Sequence, residues 1–189
     1  MDAETLRAAY GKGIFPWPQP DLPWLWFSPT QRGVLDFSDY RVNRSNQKLF
    51  SKRTNWTVTK NTQFLSVMKA CAEQVREGQA GTWIQDEMFE AYSELFSSGE
   101  ALSVEVWDQE RLVGGAYGVI MKCPAGRYFS GESMFHHETG ASKVALHHLV
   151  KHLSQMNLSW MDTQMVTPVV ESFGGKYITR EEFLQRIGV

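Results

Sequence analysis

The chain has 189 residues, 42% of them hydrophobic and 21% charged, with a formal net charge of −2 at pH 7. That describes one globular domain, with or without a small lobe, able to bury a core without disulfides or metal. The charge balance excludes a protein-wide field for nucleic acid, so any such contact is local, and no apolar run nears the ~18–20 residues of a membrane span.

In chain order, the opening MDAETLRAAYG carries no apolar signal core, and AETLRAAYGKG reads as one short helix closed by Gly13. The Pro-rich stretch FPWPQPDLPWLWF (residues 15–27) gathers an unusual share of the seven Trp and eleven Phe. SPTQRGVLDF reads as a turn entering a strand. RVNRSNQKLFSKRT carries Arg41, Arg44, Lys48, Lys52 and Arg53, the densest basic stretch. It suits nucleic-acid phosphates, or simply a solvated helix face. The chain changes character near residue 60, which suggests a small N-terminal lobe over 1–60 and a larger domain over 61–189.

From residue 61 the periods are cleaner. Phe64, Val67, Met68 and Cys71 recur at helical spacing, and QDEMFEAYSELFSSG has acids in its first turn and Gly99 after its last. ALSVEVW alternates with period two, Asp108-Gln109-Glu110 fits a hairpin turn, and RLVGGAYGVIM returns as a strand. GRYFSGESMF reads as a third strand, GASKVALHHLVKHLSQM as a helix, WMDTQMVTP as a strand, and YITREEFLQRI as a βα piece. Runs of strands joined by hairpins, mixed with helices, predict α+β (mixed α/β) architecture rather than a doubly wound sheet.

Candidate chemistry concentrates late in the chain. On a strand, Asp162 and Gln164 share a face with Trp160, while Met161, Thr163 and Met165 take the other. This pair reads either as a polar strand end or as part of a crevice where Glu132, leaving the preceding strand beside Gly131, converges on it. Trp17 and Trp83 lie on loops and suit either nucleobase stacking or packing between lobes. RLVGGA has the R-x-x-G-x-A spacing of acetyl-CoA-binding acyltransferases, but its glycines lie in a strand rather than at a helix N-terminus. No nucleophile elbow or P-loop is present. Cys71 and Cys123 read as reduced thiols of a cytosolic protein, and the histidines are too far from any cysteine pair for zinc.

The blocks AYGKGIFPWP, WFSPTQRGVL, GTWI, SVEVW, LVGGAYGV, SGESMF, ASKVAL and MDTQ, in order from about Ala8 to Phe183, resemble the leucyl/phenylalanyl-tRNA–protein transferase family. The chain would be a divergent, short member. The resemblance implies an acetyltransferase-like (GNAT-like) domain with a small N-terminal lobe, using no acetyl-CoA, metal or other cofactor. It implies transfer of Leu or Phe, sometimes Met, from aminoacyl-tRNA to the N-terminal Arg or Lys of a protein, marking that protein for degradation. Catalytic roles fall on Asp162 and Gln164; contacts to the terminal adenosine and aminoacyl group fall on Trp17 and Trp83. The amino-acid pocket would include Phe129, Gly131, Met134 and Leu149, with Glu132 beside it, and Arg44, Lys48, Lys52 and Arg53 would meet tRNA phosphates. A monomer acting in the cytoplasm is expected.

That chemistry is aminolysis of an activated ester. An α-amine with pKa ~7.7–8 is already partly neutral near pH 7, so orientation, worth as much as ~7–11 kcal/mol, matters more than a strong base. Gln164 would accept a hydrogen bond from the amine, and Asp162 would orient Gln164 or stabilise developing positive charge. The chain departs from the family where Y-x-x-L-H-x-x-G-x-A-H-S reads YSELFSSGEALS, so Phe96 and Leu102 replace two histidines. The resemblance also implies a small lobe shortened by the lack of the family's Gly-rich N-terminal segment, and a pocket that would be enlarged where an apolar residue appears as Ala116. Two other readings stand: an acyl-CoA-dependent N-acyltransferase of the same fold, and a tRNA-binding paralogue without catalysis.

Overall fold

A computed structural model describes residues 1–18, 24–74 and 84–189. Helix α1 (Ala3–Tyr10) begins at Asp2, whose side chain accepts the Thr5 N–H. A two-stranded ladder follows, β1 (Phe15–Pro16) with β2 (Trp26–Phe27). Then come β3 (Gln31–Asp36), α2 (Arg44–Lys52), β4 (Trp56–Lys60), α3 (Phe64–Glu73) and α4 (Asp86–Ser97). The hairpin strands β5 (Ala101–Asp108), β6 (Arg111–Cys123) and β7 (Gly126–His136) lead through α5 (Ala141–Gln155) to β8 (Trp160–Gln164). The chain ends in α6 (Pro168–Glu171), β9 (Lys176–Thr179) and α7 (Arg180–Ile187).

The large sheet has seven strands in the order β4-β5-β6-β7-β8-β3-β9. All its pairs are antiparallel except β7 with β8, the pair that α5 connects. Period-two alternation sends neighbouring residues to opposite faces. Val34, Val119 and Tyr128 join a core with α1, α3, α4 and α7, whereas Leu35, Ile120 and Phe129 join one with α5 and α6. The architecture is mixed α/β, with helices covering both faces.

The boundary expected at residue 60 does not divide this sheet. β3 lies between β8 and β9, and β4 forms the far edge beside β5, although both strands precede residue 61. Composition changes at residue 60, but strand pairing is non-local and ignores it. Of the elements before β3, α1 and the small ladder lie outside the large sheet.

Two irregularities shape the middle of the sheet. Between β6 and β7, Tyr117 faces Ser133 and Gly118 faces Gly131, so Glu132 is an inserted residue without a cross-strand partner. Between β3 and β8, Gly33 faces Gln164 and Val34 faces Asp162, which leaves Thr163 inserted in the same way. Such bulges bend a strand and re-aim its side chains. β7 and β8 pair at Phe129↔Met161 and Ser130↔Asp162, and the paired register stops there. Neither cysteine forms a disulfide, and no helix among the described residues is long and apolar enough to cross a membrane.

Candidate active site

Where β7 and β8 part, a cavity of about 170 Å³ opens between Glu132 and Gln164 at its polar end and Ala116, Leu149 and Met161 at its apolar end, with Trp17 also in its wall. Cavities of ~150 Å³ with apolar walls admit a benzene ring, so this one suits a single aromatic or branched aliphatic side chain. Gly131 and Met134 also line it. A β-carbon on Gly131 would sit 3.0 Å from the Met161 methyl, so glycine there keeps the gap between the strands open.

Behind the cavity wall lies a buried ion pair. Arg32 donates Nε to Asp162 Oδ1 at 2.9 Å and Nη2 to Oδ2 at 2.7 Å, with side chains 1% and 0% exposed. The guanidinium sits between the rings of Phe15 and Phe183, 4.4 Å from each centroid, and gives Nη1 to the Gly13 carbonyl. Burial disfavours the Arg32 charge, yet Asp162 opposite it raises the pKa above the ordinary arginine value. A buried ion this well bonded is stable where a lone one is not.

Asp162 Oδ1 also accepts the Gln164 backbone N–H at 2.8 Å. This local bond from residue i to i+2 is an Asx-turn. Gln164 adopts φ +60°, left-handed backbone that is uncommon outside glycine. Its side-chain Nε2 points at Ser130 Oγ and Glu132 Oε1, 3.4 Å from each. No described group is bonded to its Oε1, and Gln164 forms part of the cavity wall.

Glu132 is 8% exposed and holds the other side of this polar end. Tyr92 donates its hydroxyl to Glu132 Oε2 at 2.9 Å, and the Tyr10 hydroxyl meets that of Tyr92 at 2.8 Å. Burial pushes the Glu132 carboxyl up to about 7, opposed by the Tyr10 and Tyr92 hydroxyls and assisted by the Asp162 charge. Burial likewise drives both phenols well above their usual range, so at neutral pH they act as neutral hydrogen-bonding groups.

Of the residues expected at the site, Trp17, Gly131, Glu132, Met134, Leu149 and Gln164 line the cavity, as does Ala116. Two expected ones do not. Asp162 is sealed beneath Gln164 by Arg32, and Phe129 is fully buried within the paired part of β7 and β8, before the strands separate. Its ring covers the space over Gly118, where a β-carbon would lie 2.4 Å from the ring edge. Trp83 lies outside the described residues. Phe96 stacks on Phe64 at 4.5 Å and Leu102 is core, so neither replacement for the family histidines lines the cavity.

Arg44, Lys48 and Lys52 are exposed on α2, four residues apart and therefore in one row. Arg53 is half-buried, with its guanidinium 4.5 Å above the Trp56 ring. α2 is tied to the residue after α6 by Asn46 and Ser172, and to α5 by Lys143 and Asn46. Those helices also wall the cavity, through Val170 and Leu149.

Arg32, Tyr10, Tyr92 and Ser130 were not expected. Signals existed for two of them. Arg32 is a cation two residues before Val34 on a core-facing strand, and Tyr92 is a phenol in register with the buried Met88 and Leu95. Ser130 carried none. Among the described residues, no cluster of three or more His, Cys, Asp or Glu could hold a metal.

The family model for leucyl/phenylalanyl-tRNA protein transferase matches residues 34–188, and that for its N-terminal domain matches residues 1–30. The chain is 46% identical over 182 residues to a leucyl/phenylalanyl-tRNA–protein transferase of Shewanella sp. (strain ANA-3), covering 96% of this chain and 75% of that protein. It is 43% identical over 187 residues to the one of Shewanella denitrificans, covering 99% and 77%. Among solved structures it overlaps a GCN5-related N-acetyltransferase from Ralstonia eutropha JMP134 at 9% identity and TM-score 0.48, over 71% of this chain and 92% of that one.

Proposed function

Because the chain belongs to the leucyl/phenylalanyl-tRNA–protein transferase family, we propose that it moves leucine or phenylalanine from an aminoacyl-tRNA to the N-terminal arginine or lysine of a protein. The bond formed is an amide, made by attack of the acceptor's α-amine on the ester that joins the amino acid to tRNA. Aminolysis of an ester runs downhill and calls for no cofactor. Marking the acceptor for degradation is the consequence of the new apolar N-terminus, and the enzyme works as a cytoplasmic monomer, where charged tRNA is made and used.

The observation that carries this reading is the position of the Gln164 amide. Its NH₂ group is committed to Glu132 and Ser130, so its oxygen is the end offered to the cavity. There it accepts a hydrogen bond from the attacking amine and sets its line of approach. The apolar end, through Met134, Leu149 and Ala116, takes the leucine or phenylalanine side chain. Trp17 stacks on the terminal base or aminoacyl group at the polar end, Trp83 completing that contact. Asp162 acts through the Gln164 backbone from behind the wall. The row Arg44, Lys48 and Lys52, with Arg53 at its end, meets acceptor-stem phosphates.

The test is direct. The protein is incubated with Leu- or Phe-charged tRNA and peptides beginning Arg, Lys, Asp or Glu, and mass spectrometry follows which peptide gains a residue. Gain on Arg and Lys peptides supports the reading; no gain on any peptide, with salt-sensitive tRNA binding intact, favours the inactive paralogue. Titration with CoA separates the acyl-CoA alternative, since the reading predicts no thermal stabilisation by it. The glycines of RLVGGA lie in β6, paired with β5 and β7 on both sides, which leaves no phosphate cradle there. Gln164→Glu and Asp162→Asn, both fully active, would end the role assigned to this pair.

A further inference from the structure

We propose that Glu132 is a catalytic residue of this transferase: its carboxylate takes the proton that the α-amine must lose and passes it to the departing ribose oxygen. The inference rests on the aminoacyl-transfer reading and assigns the one proton movement that reading leaves open. Gln164 orients the amine but cannot accept a proton, because a primary amide is too weak a base at neutral pH. A carboxylate in the same wall can.

The geometry brings Glu132 there by a specific device. As the inserted residue of the β7 bulge it has no partner on β6, and its side chain turns toward α4 and the polar end of the cavity. Oε2 is fixed by Tyr92, which is backed by Tyr10, and Oε1 lies 3.4 Å from the Gln164 amide nitrogen. A substrate amine bonded to Gln164 Oε1 is therefore next to Glu132 Oε1. The titratable and charged groups around it are Tyr10 from α1, Tyr92 from α4, Tyr117 from β6, Tyr128 from β7, and Asp162 from β8 with Arg32 behind it. Burial raises the carboxyl to about 7, which suits a base that must accept a proton and release it again.

The step balances. The neutral amine nitrogen forms a bond to the ester carbonyl carbon while one N–H proton goes to Glu132. The carbon–oxygen bond to the ribose then breaks, and the proton on Glu132 goes to that oxygen, restoring the carboxylate and leaving an amide and a free ribose hydroxyl. Tyr92 and Tyr10 touch no reacting atom; they are positioning residues that favour the charged form of the base.

The experiment measures kcat for leucine transfer to an Arg-initiated peptide against pH, at saturating peptide and Leu-tRNA, so that titration of the free amine falls in KM. The wild-type kcat is expected to rise with pH on a limb near 7. Glu132→Gln is expected to lose ~100-fold or more in kcat and to lose that limb, with tRNA binding in a filter assay within about twofold of wild type. Tyr92→Phe, which removes a hydrogen bond to the carboxylate, is expected to move the limb to higher pH. A Glu132→Gln enzyme within fivefold of wild-type kcat overturns the proposal, as does one in which only the peptide KM rises, because that assigns Glu132 to acceptor binding. An unshifted limb in Tyr92→Phe overturns the part given to Tyr92. Wild-type enzyme that transfers to no peptide is the separate failure of the transferase reading itself.

Discussion

Asp162 is bonded to the Gln164 backbone, with Oδ1 accepting its N–H at 2.8 Å, and not to the Gln164 amide, which is held by Ser130 and Glu132. The acid therefore stabilises a left-handed residue at φ +60° rather than polarising its side chain. Backbone in that region costs on the order of 1–3 kcal/mol and persists where neighbours enforce it. Arg32 fixes Asp162, Asp162 fixes the turn, and the turn aims Gln164.

A prediction follows for the ion pair. Arg32→Met or Asp162→Asn alone leaves one buried charge uncompensated and destabilises by roughly 3–5 kcal/mol. The double variant removes both charges and recovers most of that loss in urea unfolding. Transfer activity stays at least about tenfold below wild type in the double variant, because the carboxamide at 162 is no longer oriented by a guanidinium. Activity returning together with stability would mean that the pair serves only the fold.

Glu132 gives stability a pH dependence of known sign. Its carboxyl is near 7 in the folded chain and near the ordinary 4.5 when unfolded. Between those values the folded state holds the extra proton, so stability falls as pH rises through the window and the penalty is complete above about 7. Glu132→Gln carries no such penalty. Its Tm relative to wild type should therefore climb from pH 4.5 to 7 and then level off, measured by scanning calorimetry at several pH values. A difference constant across that range contradicts the buried, ionising carboxyl.

Ala116 is a small residue on the apolar wall, beside Leu149 and Met161. Ala116→Met fills part of a cavity of about 170 Å³. It should lower kcat/KM for the phenylalanyl donor by ~10-fold or more and affect the leucyl donor less, since pocket discrimination of this kind is worth ~1–3 kcal/mol. Competition between the two charged tRNAs reads the ratio. Equal loss for both donors would place the side chain elsewhere.

The basic row on α2 should be visible in salt dependence. Replacing Arg44, Lys48 and Lys52 by alanine should weaken tRNA binding at low salt. The log–log salt slope should flatten by about one unit per phosphate contact removed. KM for the peptide acceptor should not change. A slope identical to wild type would make the row a solvated helix face.

Local periodicity was enough to read α3, α4, α5 and the β5–β6–β7 hairpins, and the resemblance named Trp17, Ala116, Gly131, Glu132, Met134, Leu149 and Gln164 among the residues of the cavity wall. What escaped was non-local or irregular. Arg32 and Asp162 are 130 residues apart in sequence, and no pattern in either segment names the other as its partner. The insertions at Glu132 and Thr163 break the period-two rule at the site itself, and a reading based on alternation cannot see an extra residue. Asp162 thus looked like a cavity group when it is a strut behind the wall. The basic stretch and the aromatic loops suggested a separate lobe to residue 60, but β3 and β4 had to be seen paired with strands far along the chain.

The rings that sandwich Arg32 come from opposite ends of the described chain, Phe15 following α1 and Phe183 within α7. A ribosome releases Arg32 long before it has made Phe183. Until then the guanidinium has only one of its two aromatic plates, although Asp162 is already in the chain.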